Sequence, residues 1–144
     1  METPIGIRRL TGSIGVEVKG VDLRHPLDDT TFATIHQAFL DHCMLVFRGQ
    51  VLDPVAQMTF AHRWGEVLDA PYLKPIEMPD HPGMLVVPNL GKERSYTTEV
   101  WHSDLSFMPA PPALTMLMAQ MVPEAGGDTM FASQYPHASP SSLR

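Results

Sequence analysis

Ile14, Val16 and Val18 alternate with Gly15, Glu17 and Lys19. Successive side chains of an extended chain point to opposite faces, so this period of two predicts a half-buried strand. The apolar pieces before it, "IGIRRL" and "TGSIGVEVKG", are broken by glycine. Farther on the period changes. Phe32, Ile35, Phe39 and Cys43 recur at helical spacing behind Asp28, Asp29 and Thr30, whose oxygens can cap a helix and whose charges suit its N-terminus. "MLVFRGQ" then reads as a buried strand ended by Gly49. A second helix is predicted in "DPVAQMTFAHRWGE", with Asp53 as cap, Pro54 in the first turn and Gly65 as terminator. Val55, Met58, Ala61 and Trp64 share its apolar face, and His62 and Arg63 complement the dipole at its end.

Beyond this helix, "DAPYLKPIEMPD" predicts an irregular loop, "GMLVVPNL" a short strand and "GKERSYTTE" a polar loop. A strand is expected over 113–122 and another from Thr129, with a coil-like tail over 134–144. No internal repeat is visible. Short elements punctuated by 14 prolines favour a mainly β architecture with flanking helices, an α+β class, in one domain over 1–133. The 10 methionines read as flexible core filler, and His36 and His42 as surface or boundary residues.

Charge and cysteine content narrow the function classes. A formal net charge of −6 with scattered Lys and Arg speaks against nucleic acid as a partner, and Arg8-Arg9 reads as a solvated strand edge. No apolar run is long enough for a bilayer, so no membrane association is expected. The start "METPIGIRRL" lacks the apolar stretch of a secretory signal, and the single Cys43 excludes an internal disulfide and a multi-cysteine zinc site. A cytoplasmic protein is expected.

The chemistry concentrates in "WHSDLSF", residues 101–107. On a strand, His102 and Asp104 would stand side by side on one face. Two histidines and one carboxylate on one face of an octahedron are the usual ligands of non-haem iron oxygenases, and a His-x-Asp pair supplies two of the three. The tripeptide alone fits a surface His beside a solvated Asp better than a metal site. Taken alone, Thr129 is likewise an ordinary β-branched strand residue, and Trp101 reads as core packing beside the strand.

The wider stretch "WHSDLSFMPAPPALTMLMAQMVPEAGGDTMFAS" resembles the iron(II)- and 2-oxoglutarate-dependent dioxygenases of the taurine dioxygenase (TauD/TfdA-like) family. W-H-[ST]-D, a following aromatic, a proline-bearing loop, a long strand and G-G-[DN]-T appear in family order. "IGVEVKGVDLRHPL", "MLVFRGQ" and "FAHRWGEV" match earlier pieces, so the resemblance covers about residues 5–133. It implies a partial double-stranded β-helix, or jelly roll. It implies Fe(II) held by His102 and Asp104, with 2-oxoglutarate and O2 as cosubstrates and the Thr129 hydroxyl on the 2-oxoglutarate carboxylate. Gly126-Gly127 would turn the chain into the strand bearing Thr129. The implied reaction decarboxylates 2-oxoglutarate to succinate and hydroxylates a small organic acid.

Departures from the family pattern shape the substrate expectation. Ala70 stands where taurine-specific members carry a substrate-binding His, and Thr98 where they carry Asn, so taurine is disfavoured. Tyr72 and Thr98 are candidate substrate-pocket residues. The second metal His and the Arg for the distal carboxylate of 2-oxoglutarate find no match, since His137 comes too early and lies in the coil-like tail. The sequence therefore reads as the N-terminal half of the domain, a truncated jelly roll. A non-catalytic remnant that binds iron weakly is the alternative, and its unpaired edges and exposed apolar face would favour a homo-oligomer or a partner. A cupin-like metal module is a weaker option, because its metal strand is usually richer in His.

Overall fold

The computed structural model describes residues 4–68, 77–87 and 100–134. The chain divides into two units, Met1–Arg63 with Pro123–Arg144, and Trp64–Val122.

In the first unit, Ile14, Val16 and Val18 are buried, as their alternation predicts. They belong to or adjoin β2 (Val16–Lys19), which pairs antiparallel with β1 (Gly6–Arg9) in the register Arg8↔Glu17 and Arg9↔Val16. On its other side β2 pairs in parallel with β3 (Leu45–Val46), in the register Val16↔Leu45. The three-stranded sheet has the order β1-β2-β3. A parallel pair needs a crossover, and α1 (Asp29–His42) provides it. β3 has only two residues and is half-buried, shorter and less enclosed than "MLVFRGQ" predicts.

Both helices begin where capping chemistry places them. Asp28 accepts from the Thr31 amide at 2.9 Å and from the Thr31 hydroxyl at 2.6 Å. Asp53 accepts from the Ala56 amide at 2.7 Å, with Pro54 opening α2 (Pro54–His62). The ends depart from expectation. Cys43 is no part of the helical apolar face: it is the exposed C-cap of α1, left-handed at φ 62°, and its N–H donates to Phe39 O at 2.7 Å. α2 buries Phe60, while Val55 is exposed. Aromatic edges decide that face. Phe60 meets the rings of Phe32 and Phe47 in T-shaped contacts at 6.5 and 5.7 Å, an arrangement favoured by the ring quadrupole. Arg63 does more than face a dipole. Its guanidinium lies 4.5 Å from the Phe32 ring centroid and donates to Leu27 O at 3.1 Å and to Asp29 at 2.8 Å.

Glu17 is buried, although the alternation assigns it to the outward face. Its carboxylate accepts from Arg8 Nε at 2.9 Å, with Lys19 Nζ and Arg48 Nε each 3.8 Å away. The Arg8 hydrogen bond, aided by these charges, holds its carboxyl below the ordinary value. The Arg8-Arg9 edge is thus partly an ion-pair surface. Later in this unit, residues 123–134 carry no strand, so none starts near Thr129.

In the second unit, Met78 N donates to Met84 O at 2.7 Å around a turn in which Asp80 is left-handed, and Glu77 and Leu85 form an isolated antiparallel bridge. That bridge is all that forms of the strand expected in "GMLVVPNL" among the described residues. Met84 is buried, as filler should be, but Met121 in this unit and Met130 in the first are exposed. No strand forms over 113–122. Burial there still alternates: 112, 114, 116 and 118 are half-buried while 113, 115, 117 and 119 are exposed. The segment keeps the period of a strand, but no ladder to it forms among the described residues, and a strand exists only through its partners' hydrogen bonds. The jelly roll accordingly does not appear in the described residues, which hold a small sheet with two helices. No helix among them is long and apolar enough to cross a membrane.

Gly15 has φ +86°, and a Cβ there would lie 2.6 Å from Met44 Cε. Gly15→Ala should destabilise the protein by about 1–2 kcal/mol through the left-handed backbone, read as a lowered urea midpoint. Acid should also weaken the fold. Arg24 holds Asp22 at about 2, and Arg8 and Thr31 hold Glu17 and Asp28 below their ordinary values. Carboxyls depressed in the folded state stabilise it fully above their unfolded values, near 4, and lose that contribution as pH falls through the folded ones. A denaturation series should show stability level above about pH 5 and declining toward pH 2.

Candidate metal centre

Residues 101–103 have no regular secondary structure and 104–107 form a turn, with Leu105 at φ 50° and Met108 N donating to Leu105 O at 3.0 Å. The expected metal strand is therefore a turn. Trp101 is 68% exposed and packs no core, contrary to its expected place beside the strand. The turn nevertheless does what the strand was expected to do. His102 Nε2 and Asp104 Oδ1 lie 3.4 Å apart, both side chains about half exposed.

Two backbone and side-chain contacts orient the pair. His102 Nδ1 lies 2.7 Å from the Val100 carbonyl oxygen. A carbonyl can only accept, so Nδ1 carries the hydrogen, and in the neutral ring the lone pair falls on Nε2, the nitrogen facing Asp104. Asp104 Oδ2 accepts from the Thr115 hydroxyl at 2.7 Å, leaving Oδ1 turned toward His102.

This donor set fits a divalent first-row metal. Neutral imidazole nitrogen and carboxylate oxygen are suitable ligands for ferrous iron. Two donors each about 2.1 Å from one ion and at right angles stand about 3.0 Å apart, so a separation of 3.4 Å needs only a small adjustment to share one ion. The pair would supply two ligands: among the described residues, no group of three or more His, Cys, Asp or Glu is placed to hold a metal.

Thr129 is exposed and belongs to the first unit, following Gly126 and Gly127, which are left-handed at φ +78° and +75° but form neither a regular turn nor the start of a strand. Ala70, Tyr72, Thr98 and His137 lie outside the described residues. Sequence reasoning missed Thr115 and the Val100 carbonyl. The only signal for Thr115 was a hydroxyl inside the apolar run "ALTMLM"; the carbonyl had none.

Over residues 6–137 the chain matches the taurine catabolism dioxygenase TauD, TfdA family, and it belongs to that family. It is 35% identical over 128 residues to an alkylsulfatase of Acinetobacter baylyi, covering 88% of this chain and 39% of the relative. An alpha-ketoglutarate-dependent sulfate ester dioxygenase of Pseudomonas putida is 31% identical over 130 residues, covering 90% and 42%. Among solved structures, a taurine dioxygenase from Burkholderia xenovorans superposes with a TM-score of 0.50 at 33% identity, over 54% of this chain and 28% of that one. The chain spans about two fifths of the length of these two curated relatives.

If the described contacts orient the pair as ligands, His102→Ala and Asp104→Ala should each abolish Fe(II) binding measured by anaerobic calorimetry. Neither should change the unfolding free energy measured in urea by more than about 0.5 kcal/mol, since both side chains are half exposed.

Proposed function

We propose that this chain carries part of the iron site of a 2-oxoglutarate-dependent dioxygenase, with His102 and Asp104 as metal ligands and Thr129 on the 2-oxoglutarate carboxylate. The observation that carries the reading is the 3.4 Å approach of His102 Nε2 to Asp104 Oδ1, made by residues inside the family match. Bound iron would supply the redox chemistry that couples decarboxylation of 2-oxoglutarate to oxidation of a substrate carbon by O2. The chain's own task is to hold the ion from one side with two ligands. His102 presents its Nε2 lone pair because Val100 takes the Nδ1 hydrogen, and Asp104 presents one oxygen because Thr115 takes the other.

The substrate is a small organic acid, and Tyr72 and Thr98 line its pocket. Ala70 offers no hydrogen bond to a sulfonate, which disfavours taurine. The names of the two curated relatives point to sulfate esters as the first substrates to try. Residues 1–133 form the N-terminal part of a jelly roll that supplies only part of the site, with a coil-like tail over 134–144, and the protein works in the cytoplasm.

A second reading has its own observation. Trp101, Phe107, Leu117 and Met121 are 68, 76, 68 and 92% exposed in the second unit. Large apolar side chains left this exposed are ones that another polypeptide would cover. On that reading the chain is a partner-dependent or self-associating fragment that binds iron without turnover.

Anaerobic addition of Fe(II) and 2-oxoglutarate to the full chain should produce their metal-to-ligand charge-transfer band, lost in Asp104→Ala. Admitting O2 with an alkyl sulfate should then yield succinate. A chain that gives neither band nor succinate sinks the dioxygenase reading; a band without succinate favours the second one.

A further inference from the structure

We propose that Thr115 is a positioning residue that restricts Asp104 to binding a metal through one oxygen. The inference rests on the metal-site reading above. A carboxylate can chelate through both oxygens, occupying two coordination positions, or bind through one and leave a position open. Asp104 Oδ2 accepts the Thr115 hydroxyl at 2.7 Å, a charge-assisted hydrogen bond of good length, while Oδ1 faces His102 Nε2 at 3.4 Å. The hydroxyl therefore divides the two oxygens between two tasks. It also fixes rotation of the carboxylate, so that Oδ1 is directed at the shared position before any ion arrives.

The placement follows from local structure. Thr115 stands on the exposed face of the 113–119 alternation, whereas the neighbours at 114 and 116 are half-buried. A shift of one residue along this extended segment would turn an apolar side chain toward Asp104 instead. His102 is held in the same manner by the Val100 carbonyl, so each ligand has one outer partner, and such partners commonly contribute 10–100-fold to metal affinity. Exposure of Thr115 also means that replacing it removes little packing.

The test titrates the full chain with Co(II) alone and follows visible absorption. Thr115→Val should weaken Co(II) binding about tenfold, with circular dichroism and urea midpoint unchanged. Thr115→Ser, which keeps the hydroxyl, should restore affinity to within about threefold of the parent. If Thr115→Val disturbs folding, Thr115→Ala provides the same reading with less bulk. Parent-like affinity in Thr115→Val or Thr115→Ala, or a Thr115→Ser variant as weak as they are, overturns the proposal while loss of binding in His102→Ala upholds the metal site. Parent-like binding in His102→Ala and Asp104→Ala overturns the metal site itself, and the role of Thr115 with it.

Discussion

The fold of the first unit depends on β2 having a partner on each side. Its antiparallel neighbour arrives by a tight connection, where Leu10 N donates to Gly15 O at 2.9 Å. Its parallel neighbour arrives only after a helix. The link to that neighbour is made by the end of α1: Gly15 N donates to His42 O at 2.9 Å and Val16 N to Met44 O at 3.0 Å. The left-handed residue at Cys43 reverses the chain direction between these two carbonyls. With both edges of β2 satisfied, Val16 and Val18 can be buried without leaving backbone donors unpaired, and Ile35 and Ala38 of α1 join them in the core. Gln50 extends the same accounting by accepting from Leu23 N at 2.9 Å and donating to Val21 O at 3.2 Å.

The second unit solves a different problem, how to bring a ring nitrogen and a carboxylate together on little regular structure. A left-handed residue at Leu105 and one carbonyl-to-amide bond close the turn. The side chains are then aimed by partners outside the turn's own ladder, one a backbone oxygen two residues back and one a hydroxyl eleven residues ahead. Precision at such a pair comes from these outer contacts rather than from the ligands themselves. The small sequence separation also keeps the entropy of bringing the two side chains together low.

Family membership and site chemistry reinforce one another here without being the same argument. The match over residues 6–137 concerns the order of motifs along the chain. The approach of His102 to Asp104 concerns atoms, and would raise the question of a metal in a chain of any ancestry. The proposal of iron at "WHSD" draws on both.

The helix starts and the buried strand were legible because their causes are local. Asp28 and Asp53 cap the amides three residues on, and alternation at Ile14, Val16 and Val18 needs only one apolar face. The pairing of His102 with Asp104 was legible too, since a spacing of two leaves few ways to separate the groups. What only the tertiary structure decided were features made by residues far apart in sequence: the burial of Glu17 beside Arg8 and Arg48, the choice of Phe60 over Val55 as the buried side of α2, and the Thr115 hydroxyl on Asp104. It also decided that 112–119 has the period of a strand without being one. Period is a property of a segment, whereas a ladder belongs to two segments at once, and no reading of one alone can supply the other.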